Sequence, residues 1–311
     1  MADCLARLDH DPLFISAIGK DSHGSTLLHH NSKLDPLGIA VIPESSTATF
    51  CAIVDREGEF LFGIGDLDVH SYITVKHVQQ FEERLKEAPL VVFDGNIPVQ
   101  TMEYLLCLCH EYKIPAWFEP TDIHKAGIPF LLPNGTWKVL TYASPNINEL
   151  RVMHKALCGQ FINETNSTDL DTMCKECVQL SLPFLEHMHT LVVTLGSKGM
   201  MLVTTLEDDG SSFPVCQSSS AAKKGNVRAI YYPPVVPEKV VSVVGAGDCL
   251  ASGIMSGILR KQNVLTCVQS GIQAAAMSLV SHHAVPQSIS RESIHIFVKP
   301  PLGIWNPKVI Y

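Results

Sequence analysis

Val244-Gly245-Ala246-Gly247-Asp248, continuing as CLASGIMSGIL to Leu259, is the stretch that decides how this chain reads. An extended apolar segment gives way to two glycines, and small and apolar residues of helical character follow. N–H groups at the start of a helix have no partner inside it and attract anions. Glycine lets a phosphate approach the backbone closely. Asp248 falls in the first turn, where the helix dipole keeps a carboxylate ionised. Such a carboxylate, beside a phosphate-binding turn, can take the proton of an attacking hydroxyl. A plain helix start with an acidic first-turn residue fits the same letters, so the motif alone leaves both readings open.

Three further constellations lie upstream. In Pro145-Asn146-Ile147-Asn148-Glu149-Leu150, Asn146 and Glu149 share one face of a helix. That oxygen-rich face suits Mg²⁺ held through water, and equally a capping box that needs no ligand. Thr194-Leu195-Gly196-Ser197-Lys198-Gly199 is a tight turn after the apolar strand Leu191 to Val193. It suits nucleotide phosphates at a strand's carboxyl end, or a plain hairpin. Gly19-Lys20-Asp21-Ser22-His23-Gly24 again runs strand, turn, helix, with Asp21 or Ser22 as the cap.

Around these motifs, strand-length apolar runs alternate with helical periods. Strands are expected over 12–18, 90–93, 115–118, 138–141, 190–194 and 200–204, with 229–232 and 239–241 extended. Helices are expected over 22–34, 74–86, 99–112, 146–157, 170–186, 246–259 and 264–280. The alternation predicts a three-layer α/β fold, a mostly parallel sheet with helices on both faces. Thr47 to Val54 and Glu59 to Ile64 flank Asp55-Arg56-Glu57-Gly58, a hairpin signal. Glu207 to Val227, rich in Ser, Gly, Asp and Lys, reads as an exposed loop. No composition shift divides the chain, so 1–311 reads as one domain, and the P-loop pattern G-x-x-x-x-G-K-[ST] does not occur.

Composition narrows the function classes. The chain has 311 residues and a net charge of −8, and its basic residues gather no further than Lys223-Lys224. Nucleic-acid binding needs a concentrated positive face and is not expected. No apolar run reaches transmembrane length, and the start, with Asp3, Arg7, Asp9 and Asp11, reads as no signal peptide. The sequons at Asn163 and Asn166 are then chance matches. Ten cysteines, several in apolar stretches (Cys51, Cys107, Cys109, Cys267), read as buried reduced thiols of an intracellular protein. Cys174 and Cys177 form one C-x-x-C without a second pair, which reads as two thiols on a helix face. The pairs His29-His30, His187 with His189, and His282-His283 read as surface or core histidines rather than metal sites. The ending Lys308-Val309-Ile310-Tyr311 carries no peroxisomal signal.

Taken in order, G-x-D-x-x-G, N-x-x-E, T-x-G-x-x-G and G-A-G-D resemble the motif series of the PfkB carbohydrate kinase family, across nearly the whole chain. The resemblance implies a ribokinase-like fold with a small β lid over 37–65, and phosphoryl transfer from ATP to an alcohol. It implies Asp248 as catalytic base and Gly245, Ala246 and Gly247 as the anion hole. Asn146 and Glu149 would tune Mg²⁺ and phosphate, Thr194, Gly196 and Gly199 would receive ATP, and Thr47 and Thr49 would face the substrate or simply alternate along a strand. Phosphoryl transfer needs mainly positioning and charge neutralisation, which agrees. MADCLARL, Asp94-Gly95-Asn96-Ile97-Pro98, Glu119-Pro120-Thr121-Asp122 with Lys125-Ala126, and Ala284-Val285-Pro286 resemble pseudouridine kinases within that family. The implied substrate hydroxyl is then the ribose 5′-hydroxyl of pseudouridine. No partner of nucleic acid or membrane is implied; a homodimer through lid strands is, with aggregation of an open edge as the alternative.

Two departures stand out. Ser242 and Val243 replace the Asp-Thr that usually precedes the last motif, which removes an aspartate used for a monovalent cation, so K⁺ activation is not expected. The first strand of the family, with its substrate aspartate and glycine pair, has no counterpart before Met1 to Leu8. An N-terminally truncated kinase is the expectation, with part of the ribose clamp missing and turnover weak or lost. Its place would be cytoplasmic, or mitochondrial if an address once preceded Met1. Two other readings stay open: a catalytically impaired nucleotide- or sugar-binding protein, and a kinase for ribose, adenosine or another nucleoside.

Overall fold

The structure is a computed structural model that describes residues 1–30, 33–54, 60–159, 169–205, 213, 227–235, 237–295 and 305–311. The hairpin tip 55–58 and both sequons lie outside the described residues. In chain order the elements are α1 (Ala2–Arg7), β1 (Ser16–Gly19), α2 (Ser22–His30), β2 (Ile39–Ile42), β3 (Thr49–Val54), β4 (Phe60–Asp66), α3 (Val75–Gln79), α4 (Glu82–Lys86), β5 (Val91–Asp94) and α5 (Val99–Tyr112). They continue with β6 (Ala116–Glu119), β7 (Leu140–Ala143), α6 (Ile147–Cys158), α7 (Leu170–Ser181), β8 (Thr190–Thr194), β9 (Met200–Thr205), β10 (Val227–Tyr232), α8 (Ala246–Leu259), α9 (Val264–Leu279), α10 (Arg291–His295) and β11 (Lys308–Val309). Two compact units result, Met1–Glu82 with Val235–Val298, and Glu83–Pro234 with Lys299–Tyr311.

In the second unit seven strands form one sheet in the order β11-β10-β9-β8-β7-β6-β5. It is parallel from β5 to β8 and continues antiparallel through β9 and β10 to β11. Every residue of β7 and β9 is buried, as an apolar run covered on both sides requires. Trp117 of β6 stacks on Tyr142 of β7 at 5.2 Å between ring centroids. Beside them Phe184 meets Phe130 and Trp137 edge to face, and Phe130 and Trp137 lie tilted against each other. Among the described residues β5 pairs only with β6.

In the first unit β1 and β2 pair in parallel, and β3 and β4 form an antiparallel hairpin. The helix α8, which follows the last glycine motif, packs on α9 through small residues. A Cβ on Gly253 would stand 2.6 Å from the Gly271 Cα, so only glycine admits this crossing. α1 docks on the same helix: Cys4 and Leu8 share one apolar cluster with Cys249, Ala274, Ile289 and Ile294. Arg260 Nη2 donates to the Leu8 carbonyl at 2.6 Å and fixes the end of α1.

Several sequence expectations need correction. The helix read over 22–34 ends at His30 among the described residues; Asp35, ahead of Pro36, is extended and caps the next turn. The helix read over 74–86 breaks into α3 and α4, because Gln80 and Phe81 turn to tighter i−3 bonding on His77 and Val78. The helix read over 170–186 stops at Ser181, two residues before Pro183, which cannot continue it. Residues 239–241 form no strand. Cys51 and Cys107 are exposed rather than buried, since they fall on outward positions of β3 and α5; the nine described cysteines are all free. Of the loop read over 207–227, Phe213 is buried against Tyr142, Val227 opens β10, and 207–212 with 214–226 lie outside the described residues. No helix of the described residues is long and apolar enough to cross a membrane.

Candidate active site

The last glycine motif folds as the sequence reads it. Gly245 caps α8 with φ 86°, a left-handed conformation that only glycine holds at little cost. Its missing side chain also seats it on Ala284, whose carbonyl oxygen any Cβ would strike. That carbonyl in turn accepts from the Cys249 thiol at 3.3 Å and the Ser278 hydroxyl at 3.0 Å. The Ala284 segment is therefore the floor of the turn. Gly247 differs: a Cβ built there meets no atom within 4 Å. Packing does not account for this glycine, and the space beside it is open. The N–H of Ala246 is spent on Val243, at 3.3 Å. The N–H groups of Gly247 and Asp248 have no acceptor among the described residues, and they face outward from the helix start. Asp248 itself is half-buried in the first turn, and no described group hydrogen-bonds its carboxylate. Ser242, in place of the expected aspartate, accepts from the Val244 N–H at 3.2 Å.

The early motif forms a second tight turn in the same unit. Asp21 accepts from the N–H groups of Gly24 and Thr47 at 2.8 and 2.7 Å, and from the Thr47 hydroxyl at 2.7 Å. A Cβ on Gly24 would stand 2.8 Å from that hydroxyl, which accounts for the motif's closing glycine. The hydroxyl also accepts from the Gly19 N–H at 3.0 Å. Thr47 is thus buried and committed to Asp21, whereas Thr49 lies exposed at the start of β3. Three donors, the Thr47 N–H foremost, hold the Asp21 carboxyl down at about 2. Its folded-state pKa lies below the ordinary 3.8, so the ionised group supports the fold at every pH above that value and loses this role as pH falls through about 2. Asp21→Asn should therefore lower Tm at pH 7 and flatten the decline of Tm between pH 4 and pH 2 in acid titrations of thermal unfolding.

The second unit gathers polar groups where strands β5 to β8 end, the edge at which open α/β sheets bind ligands. Asn146 caps α6: its Oδ1 accepts from the Asn148 and Glu149 N–H groups, each at 2.9 Å, and Glu149 Oε2 accepts from the Asn146 N–H at 2.7 Å. The capping box is real, and it leaves Glu149 Oε1 without a described partner. Burial pushes the Glu149 carboxyl up, the Asn146 N–H opposes this, and the charge of Asp122 adds to the rise. A cation close by would reverse that penalty, so the residue fits Mg²⁺. Thr194 lies beside it, bridged to Asn146, with its N–H on the Pro145 carbonyl at 3.0 Å. Gly196 and Gly199, at φ 60° and 99°, shape the turn that follows. The structure thus joins Asn146, Glu149, Thr194, Gly196 and Gly199 in one neighbourhood, and holds Asp248, Gly245, Ala246, Gly247, Thr47 and Thr49 in the other unit. No group of three or more His, Cys, Asp or Glu among the described residues is arranged as a direct metal cage.

Two networks on this edge lie outside the four motifs and received no role from the sequence, although Asp94, Asn96, Glu119, Asp122 and Lys125 fall in the stretches that resemble pseudouridine kinases. Ser144 accepts from the Trp117 indole at 2.6 Å and donates to Glu119. Asp94, Asn96, Asp122 and Lys125 are linked across the ends of β5 and β6. The signal available in the sequence was a polar residue at the end of these strands, Asp94 and Glu119, or directly after, Ser144.

An α/β sheet edged by these groups, together with a glycine turn that starts a helix bearing a free carboxylate, defines a ribokinase-like phosphotransferase. The chain belongs to the pfkB family of carbohydrate kinases, which it matches over residues 1–290. It is a kinase of sugars or nucleosides. Over 322 aligned residues it is 28% identical to the pseudouridine kinase of Arabidopsis thaliana, covering 94% of this chain and 84% of that one. The pseudouridine kinase of Escherichia coli K12 is 23% identical over 82% of this chain and 70% of its own. In fold the chain is similar to the ribokinase of Cryptococcus neoformans var. grubii in complex with ADP, with a TM-score of 0.69 at 15% identity over 94% of this chain and 85% of that one. The Arabidopsis thaliana ribokinase complexed with ribose and ATP gives 0.68 at 16% identity, over 94% and 83%.

Proposed function

We propose that the chain transfers the terminal phosphate of ATP to the 5′-hydroxyl of pseudouridine. The observation that carries the reaction is the free Asp248 carboxylate in the first turn of α8, next to a glycine that packing does not require. The two pseudouridine kinases it resembles support the substrate. Asp248 accepts the proton of the attacking hydroxyl. The oxygen bonds to the terminal phosphorus, the bond to the ADP oxygen breaks, and the products are ADP and a phosphate monoester. The Gly247 and Asp248 N–H groups, with the helix start behind them, receive the transferring phosphate. Thr194, Gly196 and Gly199 hold the nucleotide. Glu149, through water and steadied by Asn146, would hold Mg²⁺, which when bound neutralises phosphate charge. Thr49 faces the sugar, Thr47 acts by fixing the Asp21 turn, and the β3–β4 hairpin serves as lid. With Ser242 turned to the backbone, K⁺ has no carboxylate at that position.

A substrate panel tests the reading. With ATP–Mg²⁺, pseudouridine should give the highest kcat/KM, above uridine, adenosine and ribose. A preference for adenosine or ribose would replace the substrate. Nucleotide and nucleoside binding by calorimetry, without transfer to any alcohol, would replace the reaction by binding alone.

A further inference from the structure

The turn between β6 and the following helical segment holds a strained backbone. Asp122 N–H donates back to the Pro120 carbonyl at 2.9 Å, closing a three-residue turn around Thr121 at φ 73°. A β-branched residue rarely adopts that backbone, and three-residue turns of this hand are uncommon. Such outliers persist where the surroundings impose them, often at ligand sites. Here the surroundings are explicit. The Thr121 hydroxyl accepts from the Gly95 N–H at 3.2 Å. Asp122 Oδ1 accepts from the His124 and Lys125 N–H groups at 2.7 and 3.1 Å. Asp122 Oδ2 stands 3.1 Å from Lys125 Nζ.

The result is one ammonium held by two loops. Lys125 Nζ donates to Asn96 Oδ1 at 2.6 Å, and Asn96 Nδ2 donates to Asp94 Oδ2 at 2.7 Å. The stem passes over Gly95, where a Cβ would come within 2.7 Å of the Lys125 Cβ. An ammonium has three donors, and described residues engage two. The side chain is 24% exposed, so the third donor can reach a ligand. Glu119, three residues before Asp122, accepts from the Ser144 hydroxyl, two residues before Asn146, so the lysine's loop and the capping box leave neighbouring parallel strands at one edge. Carboxylates crowd this edge (Asp94, Glu119, Asp122, Glu149), and a polyphosphate entering it needs a fixed cation.

Resting on the kinase reading above, we infer that Lys125 is a nucleotide-binding residue whose ammonium contacts the β- or γ-phosphate of ATP, with Asn96, Asp94 and Asp122 positioning it. The rival is a purely structural strap between two loops.

The test is calorimetric binding of MgATP, MgADP and AMP to the chain, with Lys125→Met and Lys125→Arg, plus Tm without nucleotide. Loss of a charge-assisted contact should weaken MgATP binding by about ten- to a hundred-fold in Lys125→Met. AMP binding should stay within about two-fold, because a ten-fold change already needs about 1.4 kcal/mol. Lys125→Arg, which keeps the charge, should recover most of the MgATP affinity. Equal weakening of AMP and MgATP, or a lowered Tm with unchanged MgATP affinity, would overturn the inference in favour of the strap. If Lys125→Met fails to fold, Asn96→Leu, which removes the tether, must still weaken MgATP more than AMP, and equal affinities there overturn it. Binding is read without turnover, so absence of kinase activity sinks the reaction above and not this contact.

Discussion

Asp248→Asn lowers kcat by about 10²- to 10⁴-fold, the usual worth of a positioned general base. KM for ATP and for the nucleoside moves little, because the amide has the size of the carboxylate and keeps the helix start intact. The structure gives the reason for expecting so clean a separation. No described residue hydrogen-bonds this carboxylate, whereas Asp21, in the same unit, is held by three donors. Removing the charge at Asp248 therefore breaks no described contact. The remaining cost is the first-turn interaction with the helix dipole, about 0.3–1 kcal/mol. Tm should shift by a few degrees at most, and steady-state kinetics beside thermal unfolding reads both quantities. A stability loss as large as that of a core substitution, with kcat retained, would make Asp248 a structural cap.

The two glycines of the same turn should behave oppositely. Gly245→Ala must place a side chain at φ 86° and drive its Cβ into the Ala284 carbonyl. The backbone conformation costs about 1–2 kcal/mol and the overpacking about 1–3 kcal/mol more. Activity falls with stability, since the helix start itself shifts. Gly247→Ala meets nothing within 4 Å, and a helical Gly→Ala change alters stability by about 1 kcal/mol or less, in the favourable direction. Yet its methyl group would occupy the approach of the transferring phosphate, and loss of one such contact is worth about 10²- to 10³-fold in kcat. A stable Gly247→Ala protein with undiminished turnover would remove the anion hole from this turn.

Much of this was legible in the residues. The order of strands and helices followed from apolar runs and punctuation, and Asn146 with Glu149 read as both cap and ligand face; the structure realises the cap and leaves one oxygen over. What the sequence could not show were distances between segments far apart in the chain. Thr47 sits 26 residues from the aspartate that claims its hydroxyl, so as a strand residue it looked free to meet substrate. Lys125 and Asn96, 29 residues apart, each read only as part of a stretch that resembles pseudouridine kinases, and the fold draws the two stretches together. Helix ends failed where a local choice decided them: Pro183 beyond Ser181, and the tightened turn at Gln80 and Phe81. Periodicity is blind to both, because it registers which face is apolar and not where the backbone changes its bonding.

The central claim is that the Asp248 carboxylate strips the proton from a ribosyl hydroxyl as the terminal phosphate of ATP moves onto that oxygen. Incubation with ATP–Mg²⁺ and pseudouridine, followed by phosphorus NMR of the products, tests it most directly. The account predicts a monoester phosphorus coupled to the two 5′ protons, formed in equal amount with ADP and absent with Asp248→Asn. Inorganic phosphate as the product, or the same monoester at an undiminished rate from Asp248→Asn, would contradict it.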